Sequence, residues 1–512
     1  MEESRVKNTS KNIIYAFIFE VIKILLVFIG RIVFVKKLGV AYLGINGLFS
    51  NILGVLSLAD LGMATVLMYA LYEPLAKKDE IKIKKYMNYF KKIYNIIALT
   101  VTIIGISLIP FLKYLVNLPD NMPDIYVYYI LLLLNTVISY LFVYKTTLVS
   151  ADQKMYLLNK YDIIFQFILF VMQLAILIFT SNFALYLGAN VVCSLISNII
   201  KVKCTEKIYP FLKNKDHLEL DLNEKKTIFN NLKSLFLYKI GGVIQNNTDN
   251  ILISVMVGTI VVGYYANYST IILSITTFIT MVFSSLKASM GNFVVNENKS
   301  SQLKMFNILE IYNFWLVGFC TICFLILIPD FISICFGKEY VLGIGLLICA
   351  CLNFYTSNIR QTIWTYRETT GIFQKTKYIT IVTSIINIIL SVILGYYFGL
   401  EGIIGATVIA RLIYAWWKEP QILFKNYFKE SPKNYYVNYI KRILLLIIIF
   451  IIINSVCNLL YINNVYMLFI FKALMCISIT FLVFYALYRR SDAVIYLKEN
   501  ILPKLKGKQA NG

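Results

Sequence analysis

Glu20, Lys23 and Arg31 lie together in the first long apolar run of the chain. On a helix turning roughly 100° per residue, Glu20 and Arg31 stand about 20° apart and Lys23 about 60° to one side. The three therefore form one charged stripe. A charge at the centre of a membrane helix costs about 2.5–3.5 kcal/mol on the insertion scale, so it faces a bundle interior or a cavity. A later apolar run carries Lys239, Gln245, Asn246, Asn247, Asp249 and Asn250. Lys239, Asn246 and Asn250 share a face within about 20°, with Asp249 beside it. Asp60 lies in the second run, and Lys145, Lys287, Arg360 and Arg411 lie at or near the ends of others. Cations dominate this set. Arg grips phosphate oxygens with a planar fork and Lys as a point charge. The chemistry expected is the binding of an anion in a membrane cavity, with Lys23, Arg31, Lys145, Lys239, Arg360 and Arg411 as candidate contacts. Glu20, Asp60 and Asp249 are candidates for coupling to a cation. The alternative for Lys145, Lys287, Arg360 and Arg31 is snorkelling to headgroups. For Asp60 and Asp249 it is pairing with a cation on a neighbouring helix.

Other chemistries have little support. The single histidine, His217, sits in a charged connecting segment and reads as a solvated loop residue. Cys320 and Cys323 make a CxxC, but on an apolar run without a nearby histidine, so small packing residues are expected. No glycine-rich phosphate cradle or metal-ligand spacing is present. Enzymes that assemble glycans on the outer face need a long external loop. The outward gaps here are short, and their acids are Asp120, Asp124, Asp330 and Glu339. The chain is expected not to be an enzyme, and to need no cofactor or metal, with a proton or sodium gradient as the candidate for coupling.

The elements that must position these residues follow from composition. Of 512 residues, 59% are hydrophobic and 15% charged, against about 45–50% and 25% in soluble domains. Runs of about 20 apolar residues are what a bilayer core requires, and helices alone fit, because the runs lack barrel alternation. Fourteen spans are expected: 12–35, 41–72, 93–116, 125–149, 161–180, 184–203, 234–257, 262–287, 306–328, 342–365, 378–397, 400–420, 441–461 and 465–488. No cleavable leader is visible, and the first run reads as a permanent span. The net charge of +22 invites a nucleic-acid reading, but no basic domain stands apart from the helices. The two ends and alternate gaps hold 40 Lys and Arg, the other gaps four. This bias places both termini in the cytoplasm.

The chain also repeats itself. Residues 38–44 (LGVAYLG) lie over 257–263 (VGTIVVG), Ile93-Tyr94-Asn95 over Ile311-Tyr312-Asn313, and Leu108-Ile109-Pro110 over Leu327-Ile328-Pro329. Tyr140, Lys145 and Thr147 lie over Tyr355, Arg360 and Thr362, so the offset stays at 215–219. Six spans per unit is an even number, which gives a parallel repeat, as between halves of several secondary transporters. The expected architecture is an all-α integral membrane protein: an N-lobe over 1–203, a linker over 204–233, a C-lobe over 234–420 and a second linker over 421–440. Two further helices over 441–488 and a cytoplasmic tail over 489–512 complete it.

Several segments resemble the polysaccharide-transporter (Wzx-type) flippases. They are Lys37-Leu38-Gly39, Tyr42 through Leu53, Leu56 through Gly62, and Leu71-Tyr72-Glu73-Pro74-Leu75-Ala76 with the basic run to Lys92. Ala151-Asp152-Gln153-Lys154, Asn247-Thr248-Asp249-Asn250, Ala288 through Asn292 and Arg367 through Phe373 are similar to later signatures of that family. The likeness runs over about residues 10–430 and carries no substrate signal. It implies a V-shaped, MATE-like pair of six-helix lobes within the multidrug/oligosaccharidyl-lipid/polysaccharide (MOP) superfamily. It also implies flipping of undecaprenyl-diphosphate-linked oligosaccharide units from the inner to the outer leaflet of the bacterial cytoplasmic membrane, for capsule, O-antigen or a similar polymer. Membrane lipid and, beside the chain, a polymerase and other assembly proteins are the implied partners, with no nucleic acid. Related peptidoglycan-precursor flippases place arginines on the first helix and a cation site near the seventh, which favours Arg31 and Asp249. The competing functions are a multidrug-type exporter and a membrane polymerase or ligase.

Overall fold

The computed structural model describes residues 2–57, 62–117, 122, 124–213, 218–459 and 464–501, with side chains from residue 17 onward except at a few helical positions, Lys239 and Asn246 among them. Helices make up the order α1 (Glu2–Leu38), α2 (Val40–Leu56), α3 (Met63–Lys77), α4 (Glu80–Ser107), α5 (Leu112–Leu115), α6 (Ile125–Ala151), α7 (Tyr156–Phe179), α8 (Phe183–Ile208) and α9 (Leu222–Met256). Then come α10 (Thr259–Asn296), α11 (Lys299–Cys335), α12 (Ile344–Asn358), α13 (Gln361–Thr369), α14 (Phe373–Ala410), α15 (Trp416–Leu423), α16 (Lys433–Leu459), α17 (Val465–Tyr488) and α18 (Asp492–Tyr496). No strand occurs among the described residues. Nine helices or continuous helical stretches among them are long and apolar enough to cross a bilayer, which makes this a multi-pass membrane protein.

The helices follow the apolar runs, and they break where backbone groups find other partners. The expected span 41–72 is two helices, because α2 ends at Leu56 and α3 starts from Gly62 at φ 89°. Asp60 lies between them, outside the described residues. The expected span 342–365 is also broken, between Asn358 and Gln361. There Asn313 Nδ2 donates to the carbonyls of Asn358 and Ile359 at 3.2 and 2.9 Å, which satisfies groups that a continuous helix would have bonded itself. The spans at 378–397 and 400–420 fold back on each other at Gly399, φ 58° and ψ −133°. Gly402 follows because a Cβ there would fall on the Leu394 carbonyl.

The chain forms two compact units, Met1–Gly263 and Tyr264–Gly512. In the first, α1 packs on α7, α6 on α4 and α8, and α2 on α9. Asn117 N donates to Thr259 Oγ1 at 2.9 Å, and Ser254 Oγ donates to the Leu115 carbonyl at 2.6 Å, which ties the end of α9 and the start of α10 to the end of α5 and the residues after it. The second unit is built on α11, which packs against α12, α16 and α17. Phe314 of α11 meets Phe484 of α17 with centroids 5.1 Å apart.

Exposed ion pairs line the connection between α8 and α9. Lys92 and Lys225 both reach Glu219, at 2.9 and 3.3 Å. These bonds hold the Glu219 carboxyl below its usual range. Tyr209 donates to Asp152 Oδ2 at 2.6 Å, and burial with that neighbouring carboxylate pushes its phenol well up. His217 lies outside the described residues.

Candidate functional site

Arg31 stands in the wall of a cavity of about 170 Å³ inside the first unit, well above the roughly 10–15 Å³ that one water needs. Helices α1, α2, α7 and α8 supply its walls. Asn46, Gln166, Gln173 and Tyr186 add neutral polar groups, and among the described lining residues Arg31 carries the one formal charge. Gln173 Nε2 donates to the Tyr186 carbonyl at 3.5 Å. Phe34, one helical turn beyond Arg31, is buried edge-on against Phe183 and Tyr186, at 5.7 and 5.1 Å between centroids. That aromatic packing fixes the C-terminal end of α1 and with it the position of the guanidinium. Gln166 also lines a second cavity of about 190 Å³ with Asn190, Ser197 and the Lys201–Asp162 ion pair, 2.8 Å long. A polar vein thus runs between α1, α7 and α8.

The other expected contacts are placed differently. Lys23 pairs with Glu20 on its own helix at 3.4 Å, with side chains 44% and 17% exposed. Neither lines the Arg31 cavity. Lys145 meets Glu206 of α8 at 2.5 Å, and Lys287 meets Glu368 at 2.6 Å. Arg360 is buried on Glu419 Oε2 at 3.2 Å, with Trp364 Nε1 donating to the same oxygen at 3.2 Å and Arg367 reaching Oε1 at 3.5 Å. Arg411 donates to Asn353 Oδ1 at 2.8 Å and to Thr356 Oγ1 at 3.0 Å. Asp249 is half-buried on α9, and the Lys239 side chain lies outside the described residues. In all, Arg31 is brought together with polar groups around a space. Lys145, Arg360 and Arg411 are brought onto protein acceptors.

Sequence reasoning missed Gln166, Gln173, Asn46 and Tyr186. The signal for the first two was present: two glutamines seven residues apart on one apolar span share a helical face. Also missed were the buried pair Glu310–Arg442 at 3.0 Å and the half-buried pair Asp330–Lys472 at 2.7 Å. No group of three or more metal-binding side chains occurs among the described residues.

No family model matches the chain, and no curated protein does. Solved structures do. A lipid II flippase MurJ in an inward closed conformation superposes with a TM-score of 0.66 at 16% identity, over 93% of this chain and 98% of that one. An inward-facing multidrug-resistance MATE transporter of the MOP superfamily gives 0.58 at 14% identity, over 76% and 91%. A point mutant of the Vibrio cholerae MATE transporter VcmN gives 0.57 at 12% identity, over 83% and 100%. At such identities the likeness is one of fold, and the chain shares the fold of these flippase and MATE transporter structures.

Proposed function

We propose that the chain is a flippase that moves undecaprenyl-diphosphate-linked oligosaccharide units from the inner to the outer leaflet by alternating access. The observation that carries this reading is the Arg31 cavity: a guanidinium among amides and a phenol, with no carboxylate among the described lining residues. Such a site suits a phosphate oxygen, since amides and guanidinium all donate to it. It suits a cationic drug poorly. The fold shared with a lipid II flippase supports the same reading.

In this proposal Arg31 and Lys23 contact the diphosphate, about 12 Å apart along α1 at 1.5 Å per residue. Glu20 neutralises Lys23 until the ligand arrives. Lys145, Arg360 and Arg411 take part after leaving their present partners, and Lys239 adds a further cation. Glu20, Asp60 and Asp249 are the candidates for proton or sodium coupling. The sugars ride in a polar passage, the polyprenyl tail stays in lipid, and the termini are cytoplasmic. A polymerase acts on the delivered unit. The MATE-like fold favours a multidrug-type exporter as second reading.

The test is complementation of a flippase-null strain, scored by polymer on the cell surface. Arg31→Ala and Lys23→Ala should each abolish export at unchanged protein level in the membrane. Arg31→Lys should keep part of it, because the charge remains while the fork is lost. Full complementation by both alanine variants would overturn the proposal.

A further inference from the structure

The cavity of about 190 Å³ beside Gln166 is lined along one side by a row on α8: Asn190, Ser194, Ser197, Asn198 and Lys201. At roughly 100° per residue these five fall within about 100° of one another, over about 16.5 Å of helix. Asp162 and Gln166 of α7 stand across from them. A polar row on a membrane helix ordinarily acts as glue, hydrogen-bonding to the helix packed against it. Here the bond across is the ion pair of Lys201 and Asp162, 2.8 Å long. Gln166, Asn190, Ser194, Ser197 and Asn198 make no side-chain hydrogen bond among the described residues, and none of their polar atoms is sealed from the cavity. Phe19 and Phe165 complete the wall.

Polar groups at membrane depth that are neither paired nor sealed call for an occupant that hydrogen-bonds. We infer that this cavity holds the first sugar of the lipid-linked unit, through hydroxyl groups paired with Gln166, Asn190, Ser194 and Asn198. The inference rests on the flippase reading and names a glycan subsite beside its diphosphate site. Charge decides against an ionic occupant, because the two formal charges of the lining, Asp162 and Lys201, cancel by contact. Amides and hydroxyls both donate and accept, as the hydroxyls of a sugar do, and the phenyl rings suit its C–H face. Position decides between a free sugar and a tethered one. Gln166 lines the Arg31 cavity as well, so the two spaces adjoin at one side chain. A short covalent link makes the second contact intramolecular, at an effective concentration of about millimolar. A few neutral hydrogen bonds then suffice.

The experiment uses the full chain in lipid nanodiscs and measures equilibrium binding of farnesyl diphosphate, bare or carrying glucose, galactose, N-acetylglucosamine or N-acetylgalactosamine. The four free sugars are measured beside them. At least one linked sugar should bind about fivefold or more tighter than the bare diphosphate, the gain of one or more neutral hydrogen bonds. Asn190→Leu and Asn198→Leu should each cut that gain, and together abolish it, while binding of the bare diphosphate stays unchanged. Neither amide has a bonded partner to strand among the described residues, so both variants should fold. Arg31→Ala should weaken bare and linked lipids alike. If it leaves both unchanged while the sugar still adds affinity, the diphosphate assignment fails and the sugar site stands. No gain from any of the four linked sugars, a gain that the double variant keeps, or an equal loss of bare-diphosphate binding in that variant would overturn the inference. So would binding of a free sugar with no gain for any linked one.

Discussion

Gly44 of α2 and Gly263 of α10 meet backbone to backbone. A Cβ on Gly44 would lie on the Thr259 carbonyl and 3.3 Å from the Gly263 nitrogen; a Cβ on Gly263 would lie on the Val40 carbonyl and 3.0 Å from the Gly44 nitrogen. The contact is reciprocal. Val40 and Thr259, like Gly44 and Gly263, are separated by 219 residues. Gly44→Leu should therefore be strongly destabilising. Overpacking costs about 1–3 kcal/mol even where side chains can shift, and here the obstacle is backbone. Gly188→Ala is the control, since nothing lies within 4 Å of a Cβ there. Apparent melting in detergent should drop sharply for the first and hold or rise slightly for the second, as helix propensity favours alanine.

The helical runs were legible because lipid leaves the backbone no other way to satisfy itself. The breaks were not. Nothing local to Asn358 announces that Asn313, 45 residues earlier, will take its carbonyl. The stripe on α1 was legible as geometry, since Glu20 and Lys23 are one turn apart, and they do pair. The cavity beside Arg31 was not, because Asn46, Gln166, Gln173 and Tyr186 come from three other helices. Arg360 illustrates the limit. Its position near a span end suggested a ligand contact or snorkelling, yet its partner is Glu419, 59 residues on.

The glutamines test the Arg31 cavity apart from its charge. Gln166→Leu and Gln173→Leu keep volume but remove donors. A hydrogen bond to a charged group is worth about 1.5–3 kcal/mol, so each should lower export about tenfold or more if the donor reaches phosphate. Surface polymer in a flippase-null strain is the readout. Wild-type export by both variants would remove the cavity's neutral side chains from the site.

Glu419 holds two guanidiniums and an indole. Glu419→Gln would leave Arg360 and Arg367 buried, at 8% and 9% side-chain exposure, without their shared carboxylate. Removing one member of a buried ion pair costs about 3–5 kcal/mol. Arg360→Met should cost less, because Arg367 and Trp364 still reach the carboxylate. The order Glu419→Gln below Arg360→Met below wild type in apparent melting temperature is the expected outcome; the reverse order would show that Arg360 alone matters.

The connection after α8 should tolerate change. Lys92, Lys225 and Glu219 sit at the surface, where salt screens such pairs and their net contribution is small. Glu219→Ala should leave melting and membrane level unchanged within error at physiological salt. A clear loss of melting temperature in Glu219→Ala would mean that the segment before α9 is locked to α4 by this carboxylate rather than merely resting on it.

Glu310 and Arg442 carry the last prediction. They lie 132 residues apart, on α11 and α16, and are buried together at 3.0 Å. Glu310→Leu strands a guanidinium, and Arg442→Met strands a carboxylate. Each single change should cost about 3–5 kcal/mol. The double variant strands neither charge, and apolar replacements of similar volume are often neutral or better. The double variant should thus melt well above either single one, a coupling that a double-mutant cycle reads directly. Additive losses of stability would show that the two residues do not act as a pair in the membrane.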